Sequence, residues 1–288
     1  MKQRLLPVFI LLSAIASPAA ALEWPVQDVK PLHLFGQRTG KVIQRGIVTA
    51  NQGPVRAAAD GTLLLILEEN SNMSGFPGTL GNAVCLVHDD NLSTVYGNLS
   101  TVDRVSDRTV FETGSILSDG NRSGWGPSLS CTFLVLDLLK KKVLNPLMLL
   151  PVLKDTRGPV IKNVVAVSSA NDQGIALGTT KQLKQGKWRI YADITDTIDG
   201  FEPEFSAFRV GVLVNGTETA TLPIEILEEK NGTLYMQTPV FSDRKLFEDS
   251  ARMYLGEVTL TRGRADISVI ARDLAGNERS VLFGVQIE

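Results

Sequence analysis

Gly126-Pro127-Ser128-Leu129-Ser130-Cys131-Thr132-Phe133-Leu134-Val135-Leu136 runs from turn formers straight into a string of apolar, aromatic and β-branched residues. A short apolar run bounded by glycine, proline or Asn/Asp clusters reads as a strand packed into a core. The same signature recurs upstream at residues 62–67, 83–87 and 93–96, with Asp89-Asp90-Asn91 as punctuation between the last two. No window carries an apolar stripe of helical period over three turns. The best of them, residues 138–150, is cut by Asn145-Pro146. The expected fold class is all-β, with packed sheets.

Lys154-Asp155-Thr156-Arg157-Gly158-Pro159 is a polar Gly/Pro segment, and it divides the chain into residues 22–153 and 154–288. Beyond it, strand-like runs follow at residues 160–168, 188–194, 207–214, 219–226, 234–239, 254–261, 265–272 and 280–287. That spacing fits an immunoglobulin-like β-sandwich. Asp273-Leu274-Ala275-Gly276-Asn277 resembles the D-x-A-G-N turn before the last strand of many bacterial Ig-like and fibronectin-like modules. Gly276 and Asn277 suit such a turn because both tolerate positive φ.

Lys and Arg number 29 against 31 Asp and Glu, a formal net charge of −2 over 288 residues. This balance excludes a nucleic-acid binder that works through a general phosphate-attracting field. Only two histidines are present, His33 and His88, too few to staff a zinc hydrolase. The chain opens with Lys2-Gln3-Arg4, an apolar run over residues 5–16 and small residues ending in Ala19-Ala20-Ala21. That pattern predicts a secretory signal peptide over residues 1–21. A secreted protein of the periplasm or cell surface is expected, with no transmembrane anchor after cleavage. Cys85 and Cys131 then read either as a disulfide or as two buried thiols that never meet.

Residues 22–153 carry a longer series of landmarks. In order these are Glu23-Trp24-Pro25-Val26, Leu34-Phe35-Gly36-Gln37-Arg38, Arg45-Gly46-Ile47, residues 55–61 ending in Ala59-Asp60-Gly61, Thr94-Val95-Tyr96-Gly97-Asn98-Leu99-Ser100, Gly114-Ser115-Ile116-Leu117, Gly126-Pro127-Ser128-Leu129-Ser130, and Asn145-Pro146 leading to Leu150-Pro151. In this order and spacing the series resembles the LytM/lysostaphin-type zinc endopeptidase domain, which cuts peptidoglycan cross-bridges. The structural glycines and prolines match, and the chemistry does not. The family's H-x-G-x-D zinc phrase falls on Gln44-Arg45-Gly46-Ile47-Val48, and its G-P-H-L-H phrase on Gly126-Pro127-Ser128-Leu129-Ser130. The histidine of the family's Y-A-H-L is Asn98 here. Gln44, Val48, Asn98, Ser128 and Ser130 thus stand at the family's metal and catalytic positions, and none is a good zinc ligand. The resemblance implies a pseudo-peptidase with no catalytic residue, no metal and no cofactor.

Dead relatives of that family act as regulators or scaffolds, so the resemblance implies a cell-wall amidase or other envelope protein as partner, and peptidoglycan as a further ligand. Two other readings stay open: a peptidoglycan- or surface-ligand-binding module without an enzyme partner, and a metallopeptidase with a metal site foreign to the family. Met73 and Phe76, in the long loop of residues 68–78, and Tyr96 are candidate groove or lid contacts. His88 reads as a turn-facing imidazole with a backbone partner, and His33 as a surface residue. Ser128, Ser130, Asp137 and His88 offer the residue types of a triad but no G-x-S-x-G elbow. Asp193, Asp196 and Asp199 lack the EF-hand pattern and read as a polar loop.

Overall fold

The computed structural model describes residues 21–39, 42–69, 78–237 and 252–288. The fold is all-β: antiparallel strands dominate, and the described helical segments are two 3-10 turns, Asp89–Asn91 and Pro146–Met148. The stretch that opens the sequence reading becomes the strand Ser130–Asp137, at the middle of a ten-stranded sheet. On one side lie Leu92–Leu99, Asn82–Val87, Gly61–Leu67 and Val110–Phe111, in that order. On the other lie Lys142–Leu144, Ile226–Lys230 and Thr233–Met236. The start of Ser130–Asp137 also pairs with Ile47–Ala50, which in turn pairs with Lys30–His33.

Alternation explains which face is buried. Cys131, Phe133 and Val135 point inward from Ser130–Asp137 and are essentially inaccessible, and Tyr96 and Val84 continue the row on the next two strands. The Tyr96 and Phe133 rings lie 5.4 Å apart in a tilted pair. Burying an aromatic or large aliphatic side chain contributes about 1.5–3 kcal/mol, so this row, with Ile47, Leu86 and Leu99, anchors the first core.

The second half is a β-sandwich. One sheet orders Gly174–Ala176, Val160–Ser168, Gly186–Thr195 and Met253–Leu260. The facing sheet orders Gln182–Leu183, Glu278–Ile287, Gly263–Arg272, Arg209–Val214 and Thr217–Pro223. Gln182–Leu183 runs parallel to Glu278–Ile287, the single parallel pairing among the described strands. Ile190, Val210, Val212, Val258, Ile267 and Val269 fill the space between the sheets.

One expectation is corrected. The run at residues 219–226 is not a single sandwich strand: it breaks after Pro223, and Ile226 begins a hairpin that leaves the sandwich and extends the first sheet. Val143 pairs with Leu227 and Leu144 with Ile226. The hairpin turns on Asn231-Gly232, both at positive φ (52° and 73°), between the paired Lys230 and Thr233. Two central residues in the left-handed region make the type I′ turn that matches strand twist. Packing interlocks too. Phe35 belongs to the sandwich core, whereas Ile198 and Phe205 belong to the first. Gly36 (φ +76°) sits so near Ile224 that a Cβ would fall 2.4 Å from its Cγ2, so glycine is required there on two counts. Among the described residues no helix is long and apolar enough to cross a membrane.

Candidate functional site

Three of the five positions singled out by the family resemblance, Val48, Asn98 and Ser130, fall on neighbouring strands. Val48 lies opposite Thr132 on one side and His33 on the other, and is 5% exposed. Asn98 is next to last in its strand and adopts φ +64°, a left-handed conformation that asparagine tolerates better than most residues. Its Nδ2 donates to the Ser123 carbonyl at 2.9 Å, and its Oδ1 accepts from the Thr132 hydroxyl. Ser130 is fully buried, and its hydroxyl donates to the Pro127 carbonyl at 2.5 Å. Thr132, unremarked in the sequence, joins two of them: it pairs with Val48 and donates its hydroxyl to Asn98. Gly126 packs so tightly on this plug that a Cβ would lie 2.7 Å from Asn98 Nδ2.

Gln44 sits half-buried just before that strand system, its backbone N–H donating to the Gln37 carbonyl and its carbonyl accepting from Gly36 N–H, both at 2.9 Å. Ser128 stands apart, exposed on the turn before Ser130–Asp137.

These residues do not fit zinc. The ion takes thiolate, imidazole or carboxylate. Val48 offers no donor, the Asn98 amide is committed at both ends, and the Ser130 proton is given to a carbonyl. His33, read from sequence as a surface residue, is instead half-buried on the first strand, with Nδ1 buried and without a partner. Burial holds its pKa below the usual histidine value. One imidazole opposite a valine does not supply the rest of a coordination sphere.

Beside the plug, Ser128 and Leu129 face the turn Asn51–Pro54 across a groove of about 380 Å3, with Asp28 and Lys30 on its rim. Both turns are locked. Asn51 N–H donates to the Leu129 carbonyl at 2.7 Å, and its side chain bridges Gly53 at 2.8 and 3.1 Å. Leu129 itself adopts φ +57°. Trp125, missed by the sequence reading, is 64% exposed in the loop that leads to this turn, and its N–H is fixed to the Thr79 carbonyl at 3.1 Å. In sequence it is a lone tryptophan set between two glycines, Gly124-Trp125-Gly126, whose exposure only the structure reveals.

Tyr96 is not a groove contact, which corrects another expectation. It alternates with Val95 on a central strand, faces the core, and is 0% exposed. Its hydroxyl accepts from Ala58 N–H at 2.8 Å and from the Thr94 hydroxyl at 2.9 Å, and burial raises its pKa far above the usual tyrosine value. Met73 and Phe76 lie outside the described residues.

The disulfide reading of Cys85 and Cys131 is corrected as well: both are free and buried. Register gives the reason. Cys131 shares a face with Phe133, which pairs with Tyr96, which pairs with Val84, so Cys85 points to the opposite face. The two strands are also separated by a third, about 10 Å across, whereas a disulfide needs Cα atoms within about 7 Å. Burial pushes the Cys131 thiol up to about 12, and raises that of Cys85. Cys85 Sγ lies 3.0 Å from Ser93 Oγ.

His88 has the backbone partner expected of it. Nδ1 lies 2.7 Å from the Asp60 carbonyl, which can only accept, so that nitrogen carries a proton. Nε2 lies 2.7 Å from Thr94 Oγ1, which links the imidazole to Tyr96 and ties three strands together.

Comparison with known proteins gives three kinds of likeness. A family model matches residues 158–288, which covers the sandwich and the hairpin it lends to the first sheet. Among solved structures, the chain is similar to the catalytic domain of lysostaphin from Staphylococcus simulans, at 18% identity over 42% of this chain and 90% of that one, TM-score 0.35. It is also similar to a chain of the SpoIIIAH and SpoIIQ complex, at 20% identity over 44% of this chain and 98% of that one, TM-score 0.37. A curated protein from Treponema pallidum (strain Nichols), described as an uncharacterized protein, is 35% identical over 139 residues, covering 44% of this chain and 95% of its own length. At that identity and coverage, the chain belongs to the family of this Treponema pallidum protein.

Proposed function

We propose that the chain is a non-catalytic, exported regulator or scaffold of peptidoglycan remodelling, built on an inactive LytM-type domain joined to an Ig-like module. The observation that carries this reading is that Asn98 is committed to Thr132 and Ser123, and Ser130 to Pro127, at two of the positions where the resemblance places the family's metal and catalytic groups. Groups so committed leave no ligand set to lower the pKa of a water, so the family's route to a nucleophile is closed. The sheet around it is intact, which is what a binding role requires.

A protein partner is supported by the opposite edge of the first sheet. A register shift between Leu63 and Leu65 turns consecutive residues of that strand outward, and Leu64, Leu65, Leu67 and Val110 are exposed together. Bulges re-aim side chains in this way, and clustered exposed apolar groups mark interaction surfaces. A second reading, direct binding of a glycan-peptide or surface ligand, is favoured by the groove between Ser128 and Asn51.

Three measurements on the purified chain separate these readings. Metal analysis and turbidity assays on cell walls should give no stoichiometric zinc and no lysis. Addition to a cell-wall amidase should raise its rate if the chain is a regulator. Co-sedimentation with sacculi in the absence of any amidase should succeed if the groove binds ligand directly. Zinc-dependent lysis by the chain alone would overturn the proposal.

A further inference from the structure

Asp155, Asp196 and Asp273 come from three distant places in the chain: the segment after the first sheet's last turn, the end of Gly186–Thr195, and the turn after Gly263–Arg272. One carboxylate oxygen from each lies within 4.8 Å of the others. They line a cavity of about 40 Å3 whose other walls include Phe35, Asn145 and Leu147 from the first half and Ser206 and Phe208 from the sandwich.

The geometry points to a calcium site shared by Asp155, Asp196 and Asp273, at the join between the first sheet and the sandwich. This goes beyond the regulatory reading and does not depend on it.

An acidic cluster alone would not justify that assignment. The decisive feature is Asp196, which is 5% exposed and whose Oδ1 is buried with no hydrogen-bond partner. Ser206 Oγ, on the same cavity wall, is likewise buried without a partner. Buried polar atoms are nearly always satisfied, because an orphan costs about 1–3 kcal/mol. Two orphans facing one small cavity therefore call for an occupant.

The nearest described cation does not fill that role. The Arg157 guanidinium is bound to Asp199 at 2.9 Å and to the Ile198 carbonyl at 2.7 Å. Meanwhile Asp273 and Asp155 are already held in place as ligands would be. Asn277 donates to both Asp273 oxygens at 2.8 Å, from its backbone N–H and from Nδ2. Asp155 Oδ1 accepts from Arg157 N–H at 3.1 Å and from Asp199 N–H at 3.3 Å.

The occupant's chemistry follows from the donors. All are hard oxygens, a donor set that suits calcium, magnesium or manganese rather than the nitrogen- and sulfur-rich sites zinc favours. Calcium binds oxygen at 2.3–2.6 Å, so two ligands on one ion are separated by at most about 5 Å, in keeping with the spacing here. Its irregular coordination suits carboxylates drawn from three separate segments, with a hydroxyl and water completing the shell. Without the ion, burial and the two neighbouring carboxylates push Asp196 up to about 7. The D-x-A-G-N turn thereby gains a second purpose: Asn277 presents Asp273 to the cavity.

The test is calcium titration of the full chain after EDTA treatment and dialysis, followed by calorimetry and thermal melting, with magnesium in parallel. About one calcium per chain is expected, with a raised melting temperature and a much weaker magnesium response. Asp196→Asn and, separately, Asp273→Asn should each weaken calcium binding at least about tenfold. Melting in EDTA shows whether each variant is folded. Asp119→Asn, on a surface ion pair with Arg104, should bind calcium as the parent does. No calcium binding by the parent chain, binding that survives both cluster substitutions, or an equal magnesium response would overturn the assignment.

Discussion

Asn145 Nδ2 donates to the Ile224 carbonyl at 2.8 Å, joining the end of the first sheet to the point where the chain leaves the sandwich. The backbone N–H of Asn145 donates to the Glu225 carbonyl at 2.7 Å, and its Oδ1 accepts from Leu147 N–H at 3.1 Å, capping the short 3-10 turn. Asn145 and Ile224 are 2% and 1% exposed. Asn145→Ala would leave the Ile224 carbonyl buried and unpaired, at a cost of about 1–3 kcal/mol, and would remove the cap as well. Urea denaturation should show a loss of about 2–4 kcal/mol.

Asn98 makes a parallel case. Asn98→Ala would strand the Thr132 hydroxyl and the Ser123 carbonyl and would force alanine into φ +64°. The expected destabilisation is about 2–4 kcal/mol. Asn98→Gly loses the same hydrogen bonds but relieves the backbone, so it should be the less damaging of the two. Equal stability of all three chains would show that Asn98 is not a structural plug.

The fold was legible where the signal is local. Val160–Ser168 coincides with its sequence reading because a β-branched run sits between a proline and a polar turn. Val84, Tyr96 and Phe133 were each legible as strand residues, but not as one row across three strands, since register is a long-range property. The same blindness misplaced Tyr96 at the groove and left a Cys85–Cys131 disulfide open as one of two readings. Asn231-Gly232 is a hairpin signature that the sequence reading passed over, and nothing in its neighbours says that the hairpin's partner is Lys142–Leu144 rather than a sandwich strand. At the candidate site, the residue types at Val48, Asn98 and Ser130 were readable, but the hydrogen bond that ties Asn98 to Thr132 was not. Asp196 was weighed against Asp193 and Asp199 because they are adjacent in sequence. In three dimensions Asp193 accepts from Asn163 and lies near Arg252, Asp199 holds Thr156 and Arg157, and Asp196 turns toward Asp155 and Asp273 instead.

That arrangement has a pH signature. In the absence of divalent cations, Asp196 titrates near 7 in the folded chain, through burial first and then through Asp273 and Asp155, against Arg157 acting the other way. Unfolded, it titrates near about 4. Between those values the folded chain holds a proton that the unfolded chain has released, so the contribution is greatest below about pH 4 and is lost as pH rises to about 7. Asp60 and Asp199 have depressed values and act oppositely, below that window. Melting temperatures in EDTA should therefore fall between pH 5 and pH 8, and Asp196→Asn should flatten that fall. A parent chain and variant with the same slope would place the titration elsewhere.

Trp125 and Ser128 give the functional reading its sharpest separation of binding from folding. Both are exposed, and Trp125 is held by its backbone through Thr79 rather than by its ring. Substitutions at such positions usually change stability by less than about 0.5 kcal/mol. An exposed indole can nevertheless supply much of the affinity for a peptide or glycan, since truncating an aromatic anchor costs about 2 kcal/mol or more. Trp125→Ala should thus leave the urea midpoint unchanged while weakening association with sacculi or with an amidase at least about tenfold. Ser128→Tyr, which fills the groove across from Asn51, should weaken sacculus binding but spare a partner that docks on the Leu64–Leu67 edge. If both substitutions leave every association intact, the groove is not the contact and the exposed sheet edge becomes the surface to mutate.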